Sequence, residues 1–121
     1  MHINLETRDQ HTVQAYTDSE IIINSITYQK SLVVSSQEII TDWPVKILQD
    51  LNEDTVEPLL RYAPKIIIIG HHQQGKLAPL WLMQNLSKQR IGLECMSIGA
   101  ACRTFNVLLS EQREVVLGLI L

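Results

Sequence analysis

Cysteine is scarce in this chain. Cys95 and Cys102 are the only two in 121 residues, and they do not form a C-x-x-C pair. Two free, buried thiols fit a reducing compartment, so a cytoplasmic location is expected. A long apolar run is also missing. The longest, residues 66–69 and 115–121, fall far short of the ~18 residues of a membrane span, so direct membrane insertion is not expected. The start of the chain, Met1-His2-Ile3-Asn4-Leu5-Glu6, has no basic head and no apolar core, which speaks against a secretory leader. It is not rich in Arg and Ser either, as a mitochondrial transit segment would be. Basic charge is in deficit, with a formal net charge of −3, which argues against nucleic acid or an anionic lipid surface as a general electrostatic partner. There is no charged tail, repeat, low-complexity segment or linker. What remains is 45% hydrophobic and 19% charged, the balance of one globular domain spanning residues 1–121.

Glycine and proline number only 5 and 4, so few residues punctuate the first third of the chain. Residues 1–42 read as strands with soft boundaries. Thr12-Val13-Gln14-Ala15-Tyr16 alternates as a half-buried strand does. Ile21-Ile22-Ile23, Thr27-Tyr28 and Leu32-Val33-Val34 continue the β character, and residues 38–43 suggest another strand before Pro44 marks an edge or exit. A helix is expected over about 53–62, capped by Asn52 and with Glu53 and Asp54 at its positive end. Pro58 falls inside it and predicts a short helix or one starting late. Lys65-Ile66-Ile67-Ile68-Ile69-Gly70 is the clearest strand, and its continuous β-branched residues mean that both faces are covered. A helix is expected from about 77 to 89 with Pro79 in its first turn, then a strand over 92–96, a helix from Ser97 to about Gln112, and a buried strand over 115–121. Strand, helix, strand, helix, strand predicts a sheet with helices packed on it.

The last helix opens with Ser97-Ile98-Gly99-Ala100-Ala101-Cys102-Arg103-Thr104-Phe105-Asn106. Ser97 is a good N-cap, and the small residues after it leave the helix start open, a seat for an anion or carboxylate or simply a tight turn. Ala100-Ala101-Cys102-Arg103-Thr104-Phe105-Asn106-Val107-Leu108 resembles the A-A-C-R-T-[YF]-N-x-L signature of a domain-of-unknown-function family. That family includes mitochondrial complex I assembly factor three and the adipogenesis-associated domain-containing protein. Tyr28-Gln29-Lys30-Ser31-Leu32-Val33-Val34-Ser35, Trp43-Pro44-Val45, the segment from Ala63-Pro64-Lys65 to Gly70, and Ile91-Gly92-Leu93-Glu94-Cys95-Met96 are similar to its other segments. The resemblance implies a compact α/β domain of three layers, with no established reaction. A mixed central sheet would carry flanking helices and an additional N-terminal β layer.

Several constellations suggest chemistry. Gly70-His71-His72-Gln73-Gln74-Gly75-Lys76-Leu77 spells G-x-x-x-x-G-K, a phosphate-loop pattern up to its last position. Leu77 stands where a Ser or Thr hydroxyl would hold magnesium, and the final strand carries no acid, so nucleotide hydrolysis is not expected. His71 and His72 are adjacent at a strand end, where neighbours point to opposite faces, and no third ligand is near; no metal is expected. Cys102 sits early in a helix, where the dipole lowers a thiol pKa, but a catalytic thiol needs a base as well; the alternative is a small packing residue. Arg103 and Asn106 share one helix face, opposite Ala101, Phe105 and Leu108. Arg103 either recognises an anion or pairs with Glu94 or Glu111. In the helix near 77–89, Leu77, Trp81, Leu82, Met83 and Leu86 lie almost all round the circumference. That helix is either buried on all sides or docks a partner through Trp81 and Leu82.

Two functions follow as expectations. One is a non-enzymatic binding or assembly protein, without cofactor or catalytic set, that takes a protein partner or associates with itself. The resemblance implies a link to assembly of respiratory complex I or other membrane complexes. The other is a small-molecule-binding protein or enzyme with an anion site at Gly70, Cys102, Arg103 and Asn106.

Overall fold

The computed structural model describes residues 11–121; the expectation that residues 1–6 form no leader lies outside them. Three short strands come first: β1 (Val13–Tyr16), β2 (Ile21–Ile23) and β3 (Ile26–Tyr28) form an antiparallel sheet in the order β1-β2-β3. The β2–β3 loop has two residues, Asn24 and Ser25, both with positive φ (53° and 65°). That geometry matches the right-handed strand twist and favours Asn at its first position. Ile21 and Ile23 point into the core. The alternation expected of β1 is broken by a bulge between Val13 and Ala15, leaving Val13 as its only buried residue.

β4 (Leu32–Val34) and β5 (Ile39–Ile40) pair antiparallel. The strand expected over 38–43 shrinks to two residues. Asp42 takes a positive φ of 57°, and Trp43 turns inward, where its indole N–H donates to the Thr55 carbonyl at 2.7 Å. Helix α1 (Glu53–Leu60) is capped by Asn52, whose side chain accepts from the Asp54 and Thr55 amides. Thr55 Oγ1 in turn accepts from the Asn52 amide at 2.8 Å. Reciprocal capping holds the start at Glu53; the helix accommodates Pro58 and ends after eight residues, shortly before Ala63 takes a positive φ of 49°.

The rest follows the expected alternation: β6 (Ile66–His71), α2 (Leu80–Lys88), β7 (Gly92–Ser97), α3 (Ile98–Ser110) and β8 (Val115–Leu119). Helix α2 begins at Leu80, three residues later than the periodicity predicts, because Pro79 is its extended N-cap. The chain before it is a loop turned by Gly75 (φ +78°) and tied down by Gln73. The Gln73 side chain accepts from the Leu48 amide at 2.7 Å.

The main sheet has the order β5-β4-β8-β6-β7. β6 is parallel to both β8 and β7, while β4 is antiparallel to β8, so the sheet is mixed. Its two faces alternate with period two. Ile68, Leu117 and Leu119 pack with Ile98, Ala101 and Phe105 of α3 and with Ile21 and Ile23 of the small sheet. Ile67, Ile69 and Val116 pack with Leu59 of α1 and with Leu82 and Leu86 of α2. The domain is therefore a three-layer mixed α/β structure with the N-terminal strands laid over α3.

Candidate functional site

Helix α3 begins directly from the end of β7. Ser97 caps it loosely, its Oγ accepting from the Ala100 amide at 3.4 Å. The first turn lies close on the sheet because position 70 has no side chain. A Cβ there would sit 2.7 Å from Leu119 Cδ2 and 2.8 Å from Ala101 Cβ. Gly70 thus serves the close approach of α3.

Cys102 is fully buried beside Ala101 and Phe105. Burial pushes its thiol up to about 11 against the pull of the Arg103 charge, the opposite of the lowering expected at a helix start, so it packs as a protonated thiol. Asn106 is turned toward the small sheet. Its Oδ1 accepts from the Val13 amide and its Nδ2 donates to the Val13 carbonyl, both at 2.9 Å. The amide stands in for a neighbouring strand and fastens β1 to α3. Arg103 lies at the surface, donating to Tyr16 Oη at 2.6 Å with its guanidinium 5.9 Å from the ring centroid. Among the described residues it pairs with neither Glu94 nor Glu111; Glu111 instead faces Arg113 at 3.9 Å. These four residues do not converge, and none lines the cleft next to them.

That cleft, of about 570 Å³, opens where β6 and β7 end side by side, the kind of crevice in which open α/β sheets hold ligands. His71, His72, Gly75, Lys76 and Leu77 line one wall, Cys95 to Ile98 another, and Asp18 of the β1–β2 turn a third. His71, 7% exposed, accepts the Gln73 amide proton on Nδ1 at 3.0 Å. Burial, reinforced by the charge of His72, lowers its pKa below the ordinary 6.5. The unfolded chain therefore takes this proton first as pH falls. The stabilising contribution is complete above pH 6.5 and is lost as pH falls from there through the lowered folded value. An NMR titration of the His71 ring should give a midpoint below 6.5; one at or above it would contradict the burial. From the sequence His71 reads as a solvated loop histidine that lacks partners for a metal, since nothing local shows that it is buried at the strand end.

The G-x-x-x-x-G-K stretch does not build a phosphate loop. Lys76 and Leu77 precede the first turn of α2 and lie exposed, Leu77 at 73%. No group of three or more His, Cys, Asp or Glu able to hold a metal occurs among the described residues. On α2, Leu82 is 1% exposed and packs into the core with Leu86, so it offers no docking surface, contrary to the expectation for it. Trp81 (37%), its neighbour Leu80 (65%) and Leu77 remain at the surface. No helix of the described residues is long and apolar enough to cross a membrane.

Fold and site together define a small three-layer α/β domain with a cleft of mixed polar and apolar lining at one sheet end and apolar side chains left exposed on and beside one helix. The chain belongs to the family described as protein of unknown function (DUF498/DUF598), whose model matches residues 13–120. Two curated relatives are similar to it. The "13 kDa major membrane protein" of Francisella tularensis subsp. holarctica is 28% identical over 102 residues, covering 83% of this chain and 82% of that one. The "NADH dehydrogenase [ubiquinone] 1 alpha subcomplex assembly factor 3" of Drosophila melanogaster is 33% identical over 85 residues, or 67% of this chain, which spans only 43% of that protein. Among solved structures, the NMR structure of Xanthomonas campestris XCC1710 has a TM-score of 0.81 at 30% identity, covering 89% of this chain and 82% of that one.

Proposed function

We propose that this protein is a non-enzymatic binding module of the assembly-factor kind, resident in the cytoplasm. It holds a protein partner on the exposed apolar side chains Leu77, Leu80 and Trp81. The observation that carries this reading is their exposure at the start of α2, whose inward face is already satisfied by Leu82 and Leu86. Large apolar side chains rimmed by polar ones are typical anchors of protein interfaces, tryptophan above all. The burial of Cys102 supports the non-enzymatic part of the reading. The names of the two relatives, one a membrane protein and one an assembly factor of NADH dehydrogenase, support a partner drawn from a membrane complex, respiratory complex I among them.

The test separates folding from binding. Leu80→Ser should change the unfolding free energy by no more than about 0.5 kcal/mol, as surface substitutions do. Trp81→Ala should weaken association by about 2 kcal/mol, roughly thirtyfold in Kd, if the indole is an anchor. Co-purification with subunits of the host respiratory complexes and sedimentation of the protein alone read the two kinds of association. Unchanged behaviour of both variants in both measurements would remove the interface.

A further inference from the structure

The cleft at the ends of β6 and β7 contains a buried histidine that the fold leaves half used. The Nδ1 of His71 accepts the Gln73 amide proton, which places the ring proton on Nε2. That Nε2–H meets no acceptor among the described residues, although the ring is more than nine-tenths buried and lines the cleft. A buried donor without an acceptor is unfavourable, and native structures rarely leave one unless something else fills the role. A second feature of different origin faces the same space. Ser97 and Ile98, at the start of the thirteen-residue helix α3, also line it, and a helix start favours negative charge. Lys76 adds a cation at the rim. Asp18, the one acid in the lining, disfavours a head of high negative charge. Leu77, Met96 and Ile98 supply apolar wall.

We propose that this cleft binds a small organic anion whose carboxylate or phosphate head accepts from His71 Nε2–H at the start of α3, with its apolar part against Met96 and Leu77. The site adjoins the partner surface proposed at the start of α2 and shares Leu77 with it, but Leu80 and Trp81 lie outside its lining. It uses the region around Ser97 but none of Gly70, Cys102, Arg103 or Asn106.

Isotope-labelled full-length protein titrated with inorganic phosphate and, separately, with acetate tests it by NMR. The expected result is a saturable shift of the His71 ring and of the Ser97 and Gly99 amides with at least one of the two. Saturation by phosphate alone assigns a phosphoryl head and by acetate alone a carboxylate. His71→Phe, which removes the donor, should weaken binding about tenfold, the equivalent of one buried hydrogen bond to a charged group. Lys76→Met, an exposed substitution that leaves the fold intact, should weaken it several-fold and keeps the test valid if His71→Phe fails to fold. Trp81→Ala should leave anion binding unchanged, so failure of the partner reading and failure of this one are told apart. Shifts that never saturate, that spread over exposed lysines, or that survive both cleft substitutions would overturn the proposal.

Discussion

Phe105→Ala should lower the unfolding free energy by about 3–5 kcal/mol, the range for truncating a large buried aromatic. Phe105 is the chain's only phenylalanine, is fully buried, and sits in the core shared by α3, the main sheet and the small N-terminal sheet. Its removal would leave a cavity between elements that cannot close on it together. The small sheet is held to α3 by Asn106 through the backbone of Val13, and the helix start is held to the sheet at Gly70. With its walls pinned in this way the site relaxes poorly, which places the loss toward the upper end of that range. A urea titration with an unchanged slope reads the effect directly. A loss under about 1.5 kcal/mol, the size of a volume-conserving core exchange, would mean that the core around α3 is not packed as described.

Gly70→Ala should also destabilise, although adding a methyl usually helps a strand. Alanine in place of glycine gains about 0.5–1 kcal/mol from the unfolded chain when the backbone accepts it. At position 70 the new Cβ would meet Leu119 Cδ2 at 2.7 Å, Ala101 Cβ at 2.8 Å and the Ile98 Cα at 3.4 Å. Leu119 can swing its side-chain end aside. Ala101 and the Ile98 backbone cannot move without lifting the first turn of α3. Overpacking of this kind costs about 1–3 kcal/mol, so the clash wins and the net change is a loss. Gly92→Ala is the control. Its Cβ would find ordinary contacts, 3.7 Å at the closest, and the substitution should be neutral or slightly stabilising. If Gly70→Ala proved as stable as Gly92→Ala, the close seating of α3 on the sheet would be wrong. So would the position of the cleft, because the same seating brings the start of α3 up to His71.

How much was legible varied with how local the cause was. Helices α1 and α3 begin where Asn52 and Ser97 predict, because a cap is a bond between a side chain and amides two or three residues on. β6 was plain from its run of isoleucines. The end of β2 was not, since Asn24-Ser25 makes its turn without glycine or proline. The candidate site was the least legible part. Asn106 looked like a ligand-facing amide three residues from Arg103, yet its partner is Val13, 93 positions away in the chain. Leu82 and Trp81 looked alike as apolar residues on one helix. Only the sheet behind α2 decides that one is sealed and the other left out.

The sequence by itself determined the family, the alternation of strands and helices after residue 65, the caps, and the absence of any spanning helix among the described residues, because each is set by composition or by bonds within a few residues. The tertiary structure alone decided that β8 slips between β4 and β6, that the β6 and β7 ends lie together to open the cleft, and that His71 is turned into it while Cys102 is shut away. These follow from which faces meet across long stretches of chain. Period-two and helical patterns say that a face is apolar without saying what covers it.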